Sequence, residues 1–558
     1  MMNLIIFSII VGVLSSIMLV PFTLDKSETE YRLNKWVLYP LFIVVITVGT
    51  FVVYYIFNVD RNSSSLWIYV VVITCLSMLL SSGRERLVKG GLFVVALAAA
   101  IFVLSAPLFN ANKKYEVVEM DQQTEIQPFD EKKTPASVPP KFARNKMKKA
   151  FGQVPNTSYY ELGHLQIQKV NGEFVYIAPV EFSSFFKWWN GKTIPGYFTM
   201  SATNAADNPK FVKMDMAYTP SSYFHKNVER HIRMQYPNLI FYGDIQLEVD
   251  EEGTPHYIRT YGDFITARNG FTAEGIVTVN AANGETKQYA LADVPDFIDS
   301  AVAPEAVSLQ NSYFGKYVNG FWNSLFGKKD VKIPSDEGTV ANVSPIFDEE
   351  GHMYYFTDFT SPKEEVDSML GYALTDGRTG KATYYTGSLE ESYMDSEGVL
   401  QIIEKKFIEK KWSGEMPVLY NFYNQASWLT PVLDSNGFLQ NYFIVSAANP
   451  EISVYGNTPN EALKLYKTAL QREGSSVEGS SQADEAQANV VVKRVYKEIA
   501  GDFTNVFVLT EDDENFMISS EVLPLAIYIE EGDKLALTYL ATGELFLPVK
   551  ELENKSMQ

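Results

Sequence analysis

Apolar positions follow two regimes along this chain. Residues 1–109 hold four nearly uninterrupted apolar runs, 4–22, 36–57, 66–82 and 90–109, joined by short polar loops, whereas the remainder to Gln558 is polar and acidic. Each run approaches the roughly 20 residues that an α-helix needs to cross a hydrocarbon core. The pattern therefore predicts a four-helix transmembrane anchor. The third run is the shortest, and a buried helix of a water-soluble core is the alternative for it. The first run is expected to be a retained helix and not a cleaved leader, because Met1, Met2 and Asn3 offer no basic segment and Val20-Pro21-Phe22 is not a small-residue cleavage site. None of the runs carries an ionisable residue in its interior, so an anchor is expected and not an ion path, with Gly12, Ser15 and Ser16 as helix-packing positions.

Cytoplasmic loops carry the excess of Lys and Arg. Lys26, Arg32 and Lys35 fall between the first two runs, and Arg84, Arg86 and Lys89 precede the fourth, whereas the second loop has only Arg61 and the start of the chain none. Both termini, and with them the large polar part, are expected to be extracytoplasmic in a multi-pass membrane protein. Lys113 and Lys114, just past the fourth run, are the dissenting pair.

Beyond the membrane the pattern changes to short runs rich in Tyr, Phe, Ile, Val and Thr, separated by turn residues, which is the signature of hairpins. Asp250-Glu251-Glu252-Gly253 with Tyr257 returns as Asp348-Glu349-Glu350-Gly351 with Tyr355, 98 positions on. Gly275, Gly284, Tyr289, Asp299 and Ser300 return 96 positions on as Gly371, Gly380, Tyr385, Asp395 and Ser396. So many matches at nearly one offset argue for duplication. Weaker copies flank the pair, at Gly172 and Tyr176 with Gly196-Tyr197, and at Asp434-Ser435-Asn436-Gly437 followed by Tyr442. Helical patterns fall between the copies at 224–236, 303–326, 398–412 and 459–472; the last begins with Thr458 as a cap, Pro459 at the first helical position and Glu461 as an early acid.

The predicted fold is thus a membrane-anchored α+β protein: four transmembrane helices, tandem antiparallel-sheet-plus-helix modules and a C-terminal small β-barrel. The expected boundaries are an anchor over 1–109, a Pro-rich stalk over 110–140, modules over 141–245, 246–340 and 341–425, a partial module over 426–474, a Gly- and Ser-rich linker over 475–489 and an OB- or SH3-like barrel over 490–558. The basic run 141–149 is expected as a solvated first helix of the polar part, with a lipid-surface helix as the alternative.

The segment containing Gly371, Thr375, Asp376, Thr379, Gly380 and Tyr385 resembles the hairpin of PepSY-type exported domains, in which a strand ends in Asp-x-x-Thr-Gly. The resemblance implies a binding or regulatory module, one helix on a small antiparallel sheet, of the kind found in tandem in Gram-positive envelope proteins and associated with extracytoplasmic proteases. It covers about fifteen residues per module.

Charge narrows the partners. Residues 1–109 contain 7 Lys and Arg against 5 Asp and Glu, which leaves 40 against 62 beyond the anchor. That excess of acid speaks against nucleic acid, which requires a basic face. The only cysteine, Cys75, lies in the third run, so the polar part has no disulfide and no thiol nucleophile. Of five histidines, His225 and His231 are the only close pair, and their spacing does not place both on one helical face as a zinc motif does; His256 matches Tyr354 in the repeat and is expected in a strand. Asp434 and Asn436 offer too few oxygens for a calcium loop. No nucleophile elbow and no phosphate loop occurs. Neither a catalytic residue, a metal site nor a cofactor is therefore assigned. The candidate partner-binding residues are Phe185, Phe186, Trp188 and Trp189, since exposed Trp and Phe serve as interface anchors or carbohydrate platforms; core packing is the alternative for them.

The function expected is a non-enzymatic binding, scaffold or regulatory protein of the cell envelope, partnered by the lipid bilayer and by an envelope or surface protein or polymer, with oligomers forming through the transmembrane helices. The alternatives are an envelope hydrolase using carboxylates, and a subunit of a membrane complex or transport system.

Overall fold

The computed structural model describes residues 2–21, 35–62, 65–118, 120–124, 135, 137–348, 350–363, 368–387, 392–472, 485–500, 503–520, 523–541 and 545–557. Lys26 and Arg32, residues 119, 125–134 and 136 of the expected stalk, residues 475–484 of the expected linker and Glu349 lie outside these residues.

The apolar N-terminal runs form helices α1 (Met2–Leu19), α2 (Lys35–Ile56), α3 (Trp67–Leu79) and α4 (Gly83–Phe109). Three of them, α1, α2 and α4, are long and apolar enough to cross a membrane. At 13 residues, α3 rises only about 20 Å, less than a hydrocarbon core of roughly 30 Å. It falls short of the predicted run because the chain turns at Leu80–Ser82 into Gly83, whose φ of +55° suits glycine. Helix α4 begins seven residues before the predicted run, and so takes Arg84, Arg86 and Lys89 into its first turns, where Lys89 pairs with Glu85 at 2.8 Å.

The polar part is α+β, with several antiparallel sheets followed by a closed five-stranded barrel. The first sheet runs 160–162, 173–182, 194–201 and 210–216, with 166–170 also on the second strand; the second runs 286–290, 272–280, 255–263 and 240–241, with 246–249 on the third. The third centres on Met353–Thr360, Ser368–Asp376 and Ala382–Tyr385, and the fourth on Gln425–Leu433, Leu439–Ser446 and Ser453–Gly456.

The expected turns have a common geometry. Asp250 Oδ1 accepts from the backbone N–H of Glu252 and Thr254, Asp348 Oδ1 from Glu350 and His352, and Asp434 Oδ1 from Asn436 and Phe438. The next hairpins also agree: Asn280 Oδ1 accepts from Ala282 and Asn283 N–H, and Asp376 Oδ1 from Arg378 and Thr379 N–H. Each of these is the side-chain closure that favours Asx residues in turns.

Two cores hold the sheets together. One joins the inner faces of the first and second sheets, from Ile177 and Phe198 to Val277 and Val279; the other joins the third and fourth around Trp428, Phe356 and Phe443. A polar seam stitches the first pair: Gln168 donates to Val249 O at 2.7 Å and accepts from Val249 N at 2.9 Å, while Gln166 accepts from Leu247 N at 2.8 Å. The helix Pro459–Arg472 buries Ala462, Leu463, Tyr466 and Leu470 on the fourth sheet and is capped at its start, with Glu461 N donating to Thr458 Oγ1, while Asn457 N, just before the cap, donates to Glu461 Oε2.

Three expectations are corrected. The segment read as a stalk opens with a helix, Ala111–Val117, and a strand, Asp121–Gln123, that adds in parallel to Ala382–Tyr385; its Ala111, Val118 and Met120 are buried against the helix Pro304–Lys316, a contact that local composition does not encode. The last five residues of the expected linker, 485–489, belong to the barrel: strand Glu485–Ala500 pairs Glu485–Val491 with Lys534–Leu540, and alanine at 486 and 488 makes its alternation too weak to read. The pattern over 303–326 is not one helix: it ends at Lys316 and resumes as two short turns, Gly320–Trp322 and Asn323–Gly327. The basic run 141–149 forms the helix Pro140–Lys149, whose Phe142, Ala143 and Met147 are buried and whose Asn145 donates to Asn436 O, so it packs on protein.

Candidate functional site

A cleft of about 680 Å³ opens between the third and fourth sheets. Strand alternation places its walls: Tyr354 on Met353–Thr360, Tyr385 on Ala382–Tyr385 and Tyr420 on Val418–Phe422 line it, while the intervening Tyr355 and Tyr384 are buried on the opposite face. Tyr385 lies flat on Tyr372 at 4.9 Å, and Tyr420 on Phe422 at 5.1 Å, so both rings are held by a neighbour. Asp348 and Asp376, the turn carboxylates, close one end of the cleft, and Lys381 joins them. Burial, followed by the charge of Asp348 and Asp376, pushes the Tyr354 phenol upward; it therefore stays protonated as a donor. Aromatic faces with fixed acceptors are chemistry suited to stacking and hydrogen bonding a hydroxyl-rich or basic chain.

A second cleft, about 300 Å³, has Glu181 on its floor with His164, Glu229 and Asp244 on its walls. Glu181 accepts from the Ser221 hydroxyl, from Ser221 N at 3.1 Å and from Tyr257 OH at 3.3 Å. Burial outweighs these bonds and raises its carboxyl to about 7, with Glu161 adding a like charge. Glu229 is engaged by Arg259 at 2.8 Å. Deeper still, Glu248 accepts from Asp299 N and Ser300 N, and Asp299 from Lys169 N, so this carboxylate pair fastens the first two sheets to the loop before Pro304–Lys316. Burial raises both carboxyls.

The aromatic residues singled out in the sequence come together on one short helix, Phe185–Gly191, ended by Lys192 at φ +63°. They divide by face. Trp188 is 7% exposed and lies 5.4 Å from Tyr223 and 5.8 Å from Phe224, and Phe185 meets Tyr223 edge-on at 5.0 Å; Phe186 and Trp189 project at 75% and 58% exposure. Packing therefore accounts for two of the four, and Tyr223 and Phe224 are added to the group.

Residues 58–61, between α2 and α3, were not singled out in the sequence as a contact, yet they are docked on the polar part. Asp60, 6% exposed, takes the Arg268 guanidinium at 2.7 Å; Arg233 donates to Asn58 O at 2.9 Å and Arg230 to Tyr55 O at 2.8 Å, while Arg61 N donates to Pro237 O at 2.8 Å. The only signal was an aspartate between two apolar runs.

His256 lies in a strand and pairs with Asp250 at 3.0 Å, and His231 contacts Gly284 O at 2.8 Å. The Asp434 carboxylate is occupied by backbone N–H groups and by Gln440 Nε2 at 3.1 Å. Among the described residues no group of three or more His, Cys, Asp or Glu is placed to hold a metal ion.

No protein-family model matches the chain, and no curated protein matches it. Two solved structures are similar over 67% of this chain and 94% of their own: one titled "Glycoside hydrolase" and one described as a BT0996 RGII complex, each at 9% identity and a TM-score of 0.18, which is too low to speak for a shared fold.

Proposed function

We propose that the chain is a multi-pass protein of the bacterial cell envelope that presents a large extracytoplasmic domain for binding, without turnover, of an envelope polymer or surface protein. The tyrosine-walled cleft between the third and fourth sheets carries this reading, because its rings are braced and its carboxylates are held by turn N–H groups. Four membrane crossings are supported by two bonds between helices, Tyr69 OH with Ser15 Oγ and Ser77 Oγ to Met18 O, both 2.5 Å, which bring the end of α3 as deep as the end of α1. With α4 returning, the docked residues 58–61 and the exit of the anchor share one side. Arg84, Arg86 and Lys89 fall on the other, which favours the cytoplasm for them. The matching turns at 250, 348 and 434 support tandem modules by duplication, and the Asp376–Gly380 turn supports the PepSY-type resemblance.

Photo-crosslinkers placed at Tyr354 and, as a control, at the barrel turn residue Asp512 test this in intact cells. Adducts specific to 354 that disappear on Tyr385→Ala are expected; equal labelling at both sites sinks the binding reading. Protease added outside intact cells is expected to remove the domain, and its survival there would reverse the orientation.

Glu181 favours a second reading, an envelope hydrolase with this carboxyl as general acid. Turnover of a wall polymer or protein abolished by Glu181→Gln with folding retained would establish it over the first.

A further inference from the structure

Two exposed aromatic projections of the polar part lie beside the membrane helices. The first is the edge formed by Phe186, Trp189 and Phe224, exposed at 75%, 58% and 44%. It is tied to the end of α2 through one residue: Arg230 donates from Nη1 to Phe224 O at 3.0 Å and from Nε to Tyr55 O at 2.8 Å, with its guanidinium 4.6 Å from the Tyr55 ring. The second is the pair of short turns Gly320–Trp322 and Asn323–Gly327, the first of which packs on α4 and on Ala111–Val117 just past the anchor. There Trp322 and Phe326 stack at 6.0 Å with 64% and 78% of their surface exposed, and Leu325 projects with them.

Large apolar side chains at such exposure are costly in water and mark a contact. What surrounds them points to lipid. Both projections are continuous with membrane helices, and they stand at two separate places on the same side of the anchor. Both also carry lysine at their margin, Lys187 and Lys192 at the first and Lys328 and Lys329 at the second, in a domain that is otherwise acidic. Trp and Phe flanked by Lys is the composition that settles at a headgroup boundary, the rings among the upper acyl chains and the ammonium groups at phosphate.

We propose that these two projections enter the outer part of the bilayer and hold the domain flat against the membrane. The proposal needs only the membrane anchor, not the binding reading above.

The chain's single cysteine makes the test direct. In a Cys75→Ser background of the full chain, nitroxide labels are placed at Phe186→Cys, Phe326→Cys and Asp512→Cys, and the protein is reconstituted into vesicles of phosphatidylglycerol and phosphatidylethanolamine. Collision with oxygen, which concentrates in lipid, is compared with collision with a water-soluble nickel chelate. A lipid-side depth reading at 186 and 326, with a water-side reading at 512, is expected. The proposal fails if either 186 or 326 reads as water-exposed, or is shielded from both reagents as it would be beneath a protein partner or second copy. Both side chains are exposed, so their replacement leaves the fold intact, which is checked by the circular dichroism of each labelled chain.

Discussion

Asp358 lies in the middle of strand Met353–Thr360 with only 2% of its surface exposed. Its Oδ2 accepts from Ser396 N at 2.9 Å and its Oδ1 from the Ser396 hydroxyl at 3.1 Å, at the start of the helix Ser396–Lys406. Burial raises the carboxyl from 3.8 to about 6, against the pull of the Ser396 bonds and with Asp395 adding a like charge. An acid whose folded pKa is raised favours folding while it is protonated. That contribution is complete below pH 3.8, erodes between 3.8 and about 6, and is lost above, where the folded chain must bury a carboxylate. Two pKa units correspond to roughly 3 kcal/mol. Asp358→Asn keeps an acceptor for Ser396 N and offers the Ser396 oxygen a donor, so it removes the titration while retaining the contacts. The variant is expected to gain up to about 3 kcal/mol over the parent at pH 7.5, less roughly 1 kcal/mol for altered hydrogen bonding, and to gain nothing at pH 4. Because the parts of a long chain open separately, the measurement is native-state hydrogen exchange of amides 353–360 and 396–406 in the full protein, compared at equal pH. Protection is expected to rise by one to two orders of magnitude at pH 7.5 only. A difference that is independent of pH, or a loss of protection that grows with pH, refutes the reasoning.

Other perturbations test different links. In Gly284→Ala the new Cβ would stand 2.3 Å from the Tyr218 ring at a φ of +82°; a loss of about 1–3 kcal/mol confined to strands 272–280 and 286–290 is expected by hydrogen exchange. Trp428→Ala empties a fully buried site and leaves Met394 O without the indole N–H now 2.9 Å away, so a loss of about 3–5 kcal/mol is expected in denaturant unfolding of the third and fourth sheets. Asp60→Ala removes the buried partner of Arg268 and is expected to cost about 1–3 kcal/mol, read as faster exchange of residues 57–62 and 264–270 with strands 353–360 unchanged.

Sequence made different parts of the molecule legible to different degrees. The Thr458 cap and the four-residue apolar spacing of Ala462, Tyr466 and Leu470 are local signals, and the helix begins and ends where they place it, at Pro459 and Arg472. The turns at Asp250, Asp348 and Asp434 were equally readable, because an Asx side chain closes on amides two and four residues away. The barrel was legible in kind but not at its start, where alanines carry the strand. The tyrosine cleft and Glu181 were not legible. Tyr354 and Tyr420 come together only when two sheets pack, and the pKa of Glu181 depends on residues 40 and 76 positions away. Of the aromatic quartet, sequence supplied proximity but not which rings turn inward, since that depends on Tyr223 and Phe224 from a later loop.

The most consequential difference concerns how the domain is attached. A stalk of some thirty unstructured residues leaves a domain free to swing, with an effective concentration at the surface set by chain statistics. Here the chain leaves α4 at Asn110 and within a dozen residues has formed a helix and added a strand to the third sheet. A second attachment, independent of the first in sequence, joins residues 55–61 to the elements 228–241 and 264–268 through Asp60, Arg230 and Arg233. One attachment permits rotation about the point of exit; two that are well separated do not. The cleft between the third and fourth sheets is joined to the first attachment, since strand Asp121–Gln123 extends the sheet that forms its wall and Asp121 lines it. The strand beside the cleft is therefore the one that leads back to α4, a connection that a freely swinging domain would lack.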